Sequence, residues 1–171
     1  VWQDRRTAAM CDELRDAGHE KRVTELTGLR LDPYFSGTKI AWVRDNDPTT
    51  WAQVTSGRVA IGTVDSYFIA RMTRGLYHVT DPTNASRTLL YDIRTGQWSP
   101  ELAALLGIPL DALPEIVPSY GEIARTDWAL SWPIRVTSPL PPPSGPWDHS
   151  SSGRPSVSTL RAAVRVASSR K

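Results

Sequence analysis

From Trp132 onward this chain loses the means to build a core. Seven of its fourteen prolines and nine serines fall between residues 132 and 171, including Pro141-Pro142-Pro143 and Ser150-Ser151-Ser152. A stretch of this kind buries too little apolar surface to offset the entropy of ordering it. Residues 132–171 are therefore expected to be a disordered tail, and any fold must come from residues 1–131. That length suffices for one domain with its own core and is too short for two. Charge divides at the same place: the tail holds six basic residues against Asp148 alone, so it carries +5 while the first 131 residues carry −3. The three prolines in a row suit a proline-binding module, but a solvated tail is the plainer and favoured reading.

Along the body, glycines, prolines and capping residues mark out mostly helices. Asp4 is placed to cap a helix running to about Ala17, with Cys11 and Leu14 on one face and Gly18 as its stop. A second helix carries Val23 and Leu26 and ends at Gly28. Asp47-Pro48 starts another, with the aspartate as cap and the proline at the first helical position, where a missing amide costs nothing. Val59–Ile61 reads as a short buried strand that turns at Gly62-Thr63 into a helix carrying Val64, Phe68 and Met72. Leu89, Tyr91 and Ile93 alternate with Leu90, Asp92 and Arg94, the period of a half-buried strand, before a Thr95-Gly96 turn. Ser99-Pro100-Glu101 opens a helix through Leu102, Leu105 and Leu106, and Pro109 and Pro114 bracket a last short turn.

The segment Tyr34–Asn46 reads as a loop entering a helix. Ser36 and Thr38 offer side-chain oxygens to unpaired amides at a helix start, Gly37 permits a tight turn, and Ile40 and Val43 share a face. A tyrosine just ahead of a rigid helix is well placed to face a cleft, since its ring has an apolar body and a polar edge. On pattern alone the plainer reading, an amphipathic helix behind a core tyrosine, is favoured.

Most chemistries are excluded by what the chain lacks. It has no Gly-x-x-x-x-Gly-Lys-Ser/Thr phosphate loop, no Gly-x-Gly-x-x-Gly and no Gly-x-Ser-x-Gly turn. Cys11, the single cysteine, lies within a helical pattern and reads as a small hydrophobe and not a nucleophile. His19, His78 and His149 have no ligand-like spacing and read as surface residues. The acidic residues, among them Asp4, Asp45, Asp47, Asp65 and Asp81, sit where caps and solvated helix faces are expected. No apolar run is long enough to span a bilayer and none reads as a signal peptide. With one cysteine and no disulfide, a cytoplasmic protein is expected. Asn84-Ala85-Ser86, a match to a glycosylation acceptor, is read as coincidence.

The order Tyr34, Ser36, Lys39, Ile40, Trp42, Val43, Asp45, Asn46 resembles a signature of the FGGY carbohydrate kinases. Tyr-Phe-Ser-Gly-Thr-Lys is similar to the form that signature takes in the family's glycerol kinases. Val1–Thr7 and Val79–Thr88 (Val-Thr-Asp-Pro-Thr-Asn-Ala-Ser-Arg-Thr) are similar to the same group, in the same order and at compatible spacing. The resemblance stops near Trp132.

It implies an α/β fold: a helix-rich part of the actin-like, ribonuclease-H-like N-terminal domain of such a kinase. The implied activity is ATP-dependent phosphorylation of glycerol, with magnesium, in a full-length enzyme that closes two domains over its substrate. Of the groups that cradle glycerol in these kinases, the resemblance carries over a tryptophan to Trp2 and a tyrosine to Tyr34. An indole covers the C–H face of a polyol, and a phenol exchanges hydrogen bonds with its hydroxyls. The family's Arg-Glu pair would precede Val1, and the start at Val1 within a matched motif suggests that upstream residues have been lost. The family's catalytic aspartate belongs to a Gly-x-x-Gly-Asp-Gln-Gln loop. Here Pro133-Ile134-Arg135-Val136 resembles the strand before it, but Thr137-Ser138-Pro139 follows instead, as a frameshift would produce. No catalytic residue is therefore assigned, and neither ATP nor magnesium is expected to bind well to this piece, which is expected to be inactive alone. A different class stays open: a non-catalytic interaction module whose basic tail binds an acidic partner or nucleic acid. Binding of that kind would weaken steeply with salt, and polyol binding would not.

Overall fold

Helix ends in this chain are written largely by glycine. The structure, a computed structural model, describes residues 3–125 and 135–137. Helix α1 (Ala8–Asp16) stops where Gly18 turns left-handed, with the Gly18 and His19 amides donating back to Arg15 and Leu14. Helix α2 (Glu20–Thr27) stops the same way at Gly28. Helix α3 (Ser36–Asn46) runs almost directly into α4 (Pro48–Thr55), whose cap is the Asp47 carboxylate accepting from the Thr50 amide at 2.9 Å. Helix α5 (Val64–Met72) leads to strand β1 (Val79–Thr80) and the single turn α6 (Pro82–Ala85). A hairpin of β2 (Tyr91–Asp92) and β3 (Gln97–Trp98) follows, turning at Gly96, then α7 (Pro100–Leu105), capped by Ser99. After a 3-10 turn at Leu110–Ala112, β4 (Glu115–Ile116) pairs in parallel with β1. Strand β5 (Glu122–Arg125) pairs antiparallel with β6 (Arg135–Thr137).

One core joins these pieces. Cys11 of α1, Val23 and Leu26 of α2, Ala41 of α3, Leu89 and Leu90, Leu102 and Ala103 of α7, and Leu106 at its C-cap form a single buried cluster with Phe35 and Ile108. Removing these side chains from water supplies the main driving force. Helix α3 enters that core through its smallest residues: Gly37, Thr38 and Ala41 are its buried positions, while Ile40 flanks the cluster. The Gly37 amide donates to the Thr88 carbonyl at 2.7 Å. A Cβ at Gly37 would lie 2.5 Å from that carbonyl and 2.8 Å from Leu106 Cδ1.

Several sequence expectations are corrected. Asp4 does not cap α1; it accepts from the Arg6 amide, and the helix begins at Ala8. Neither Ser36 nor Thr38 caps α3, because Ser36 is already the first helical residue and Thr38 is turned inward onto the Thr7 hydroxyl at 3.0 Å. Val59–Ile61 forms no strand; its one long-range backbone bond is Ile61 N–H to Ala112 O. Near Leu89 the alternation fails, since Leu89 takes a positive φ of 64° and both it and Leu90 are buried, leaving only Tyr91–Asp92 extended. On α5 the inner face is Ser66 and Ile69, not Val64 and Phe68, which are 71% and 56% exposed. The reason is polar: the Asp65 carboxylate accepts from the Thr63 and Thr80 hydroxyls and turns that side of the helix toward β1. His78 is half-buried and not on the surface; burial pushes its pKa down, against a hydrogen bond to the Ile61 backbone.

Asp81, between β1 and α6, is the most acid-sensitive cap. Burial alone would raise its pKa, but hydrogen bonds from Ser119, the Asn84 amide and side chain, and Thr83 outweigh it and hold the group at about 2 against an ordinary 3.8. A folded-state pKa below the unfolded one gives stability that is present above the unfolded pKa and lost as pH falls through the folded one. The parent is therefore expected to lose urea resistance between about pH 4 and pH 2 more steeply than Asp81→Asn does. Equal slopes for the two proteins would remove Asp81 as the cause.

Candidate functional site

Tyr34 stands at the mouth of α3, and four contacts fix it there. Its amide donates to Asp32 Oδ1 at 2.8 Å, and its carbonyl accepts from Lys39 Nζ at 3.1 Å, so the backbone is held from both sides. The ring meets Phe35 edge-on, with centroids 5.2 Å apart and planes at 89°. Arg87 lies over both rings, 5.5 Å from the Tyr34 centroid and 5.0 Å from that of Phe35. Phe35 is buried and anchors the pair, while Tyr34 is 46% exposed. A core tyrosine, the reading favoured on pattern, is thereby excluded. The phenol hydroxyl has no hydrogen-bond partner among the described residues.

The N-terminal segment lies against the same helix. Thr7 and Thr38 share their hydroxyl bond in a fully buried position, and the Arg6 guanidinium covers the Trp42 ring at 4.6 Å. The Arg6 amide and guanidinium hold the Asp4 carboxyl below its usual range, and Lys39 adds to the effect. Residues 3–7 are thus seated beside the first turn of α3. Trp2, the other residue assigned to the substrate wall, lies outside the described residues, as does the tail 132–171 apart from 135–137. The alternative reading of a basic interaction tail rests on those residues as well.

Arg87 escaped the sequence reading. Its signal was only its place in the Val79–Thr88 match, since nothing in local periodicity links position 87 to position 34. The link is made by β1, by the Asp81-capped turn α6, and by the bond from Gly37 to Thr88. Cys11 is buried at the α1–α3 contact, where burial pushes its thiol pKa up, so it is a packing residue as expected. Among the described residues no group of three or more His, Cys, Asp or Glu is placed to hold a metal ion, and no helix is long and apolar enough to cross a membrane.

The chain resembles known kinases in sequence and in structure. It is 55% identical over 127 residues to a glycerol kinase of Methylobacterium nodulans, covering 74% of this chain and 25% of that protein. It is likewise 55% identical over 132 residues to one of Dechloromonas aromatica, covering 77% and 26%. A crystal structure of Plasmodium falciparum glycerol kinase with ADP superposes with a TM-score of 0.74 at 31% identity, over 79% of this chain and 28% of that one. The chain thus spans about a quarter of the length of the curated relatives it matches. Its α/β body is part of the actin-like fold those kinases share. The family model for the FGGY carbohydrate kinases, N-terminal domain, matches residues 1–137, which include Trp2, Tyr34 and Arg87, and the chain belongs to that family.

Proposed function

We propose that this chain is the polyol-facing part of a glycerol kinase, and that Tyr34, with Trp2, lines one wall of the glycerol site. The observation that carries this reading is Tyr34 itself: an exposed ring on a fixed backbone, with an unspent hydroxyl, ahead of a helix docked on the core. Trp2 enters through the family match over residues 1–137, and the segment that follows it is tied to α3 by the Thr7–Thr38 hydroxyl bond and by Arg6 over the Trp42 ring. In the proposed site an indole covers the C–H face of a ligand whose hydroxyls meet the phenol.

In the proposed reaction the terminal hydroxyl of glycerol attacks the γ-phosphorus of ATP. The bond from that phosphorus to the β–γ bridging oxygen breaks, ADP leaves, and a base takes the hydroxyl proton. Magnesium would neutralise the phosphate charge in such a transfer. Among the described residues no group of three or more His, Cys, Asp or Glu is gathered to hold it. What this chain contributes is orientation: one ring beneath the carbon backbone and one phenol at a hydroxyl, holding the alcohol still while the other groups act on it.

Glycerol added to the ring-labelled protein is expected to shift the Tyr34 resonance in a saturable way. Read by calorimetric titration, Tyr34→Phe should keep the fold and weaken binding about three- to tenfold through loss of one directed hydrogen bond, and Tyr34→Ala should weaken it further. A Tyr34 resonance indifferent to glycerol, with Tyr67 or Tyr120 responding instead, would overturn the assignment.

A further inference from the structure

We infer that Arg87 is a positioning residue for Tyr34: it holds the phenol ring in the orientation that the polyol wall requires. The inference rests on the reading of Tyr34 given above and extends it to a residue on a different segment. Tyr34 is tethered strongly at its backbone and weakly at its ring. The backbone has two hydrogen bonds, from the Tyr34 amide to Asp32 and from Lys39 to the Tyr34 carbonyl, whereas the half-exposed ring is met, among the described residues, by the Phe35 edge and the Arg87 guanidinium. An exposed tyrosine with so few ring contacts samples several side-chain rotamers unless something closes them off.

Arg87 is suited to that task. Its planar, always-charged guanidinium stacks on aromatic faces in a way that an ammonium does not. Here it spans a fixed ring, the buried Phe35, and a free one, Tyr34, at nearly equal distances of 5.0 and 5.5 Å. The guanidinium makes no hydrogen bond or ion pair among the described residues, and the two rings are its contacts there. Its own position is set from beneath. Asp81 caps α6, the Arg87 amide donates to Asn84 O at 3.0 Å, and the next residue, Thr88, accepts the Gly37 amide at the start of α3. The α6 turn and the α3 entrance are thereby locked together, with Arg87 bridging them on the outside.

The test uses the full chain with uniformly 13C-labelled tyrosine and compares the parent with Arg87→Ala and Arg87→Lys. In the parent, the Tyr34 Cα–Hα to Cβ–Hβ couplings should report one dominant χ1 rotamer. Arg87→Ala should give averaged couplings at Tyr34 and none of that change at Tyr91. Arg87→Lys should recover only part of the order. Glycerol affinity, read at the same resonance, should fall about two- to fivefold in Arg87→Ala, the range expected for loss of an exposed cation–π contact. Single-rotamer couplings persisting at Tyr34 in Arg87→Ala would overturn the proposal. Should the alanine variant lose its native circular dichroism spectrum, Arg87→Gln, which keeps most of the stem and drops the charge, decides by the same couplings. A parent whose Tyr34 couplings respond to Arg87 but not to glycerol would support the positioning role while overturning the polyol wall.

Discussion

Gly37→Ala is expected to cost about 2–4 kcal/mol of folding stability, the upper range for overpacking a core that cannot yield. An added methyl would sit 2.5 Å from the Thr88 carbonyl oxygen and 2.8 Å from Leu106 Cδ1. The leucine can move; the carbonyl cannot, because it already accepts the Gly37 amide at 2.7 Å. Relief therefore requires α3 to back away from residues 88–89, which stretches that hydrogen bond and opens the cluster around Leu89, Leu90 and Leu106. Backbone freedom is not at issue, since Gly37 is a helical residue, where alanine would otherwise be the better former by about 1 kcal/mol. Urea unfolding checks the sign directly: the midpoint should fall with the slope unchanged. A neutral or stabilised variant would mean that helix propensity outweighs the contact.

A preparation of these 171 residues is expected to give no glycerol 3-phosphate above background in a coupled assay with ATP and magnesium. Glycerol has six heavy atoms, and even the best small ligands gain at most about 1.5 kcal/mol per heavy atom. Two aromatic contacts realise little of that. Loss of a positioned general base lowers rates by on the order of a hundred- to ten-thousand-fold, and an ATP that is not held in line forfeits the still larger contribution of orientation. Tyr34→Ala run beside the parent identifies a contaminating kinase: turnover in both samples is contamination, while turnover in the parent alone would mean that these residues hold a nucleotide after all.

Helix boundaries were legible in the sequence because their causes are local. Gly18, Gly28, Asp47-Pro48 and Ser99-Pro100 each act within one turn, and each helix starts or stops where they say. Faces were less legible. Helix α5 has its large apolar residues outside and Ser66 inside, because Asp65 satisfies two threonine hydroxyls on the β1 side. Helix α3 enters the core through Gly37, Thr38 and Ala41, a stripe that hydrophobicity does not mark. Strands were the least legible, since pairs only two residues long carry almost no periodicity. In the site, Tyr34 could be chosen from resemblance and from its place before a helix. Arg87 could not, because its contact with Tyr34 exists only once α6 is docked on α3.

The parallel pairing of β1 with β4 also bears on the order in which the molecule assembles. Strand partners Val79 and Glu115 stand 36 positions apart, so the pair forms only after a long loop closes, an entropic cost that grows slowly with length but precedes any reward. Helices α1–α5 involve no such wait and form on far shorter timescales. During synthesis, at roughly 5–20 residues per second, Val79–Thr80 emerges seconds before its partner exists, with its backbone donors and acceptors unclaimed. A strand edge left open in that interval is a template for pairing with the wrong chain. Crowded expression should therefore lose this protein to aggregation at the nascent stage, before the core around Leu90 has closed.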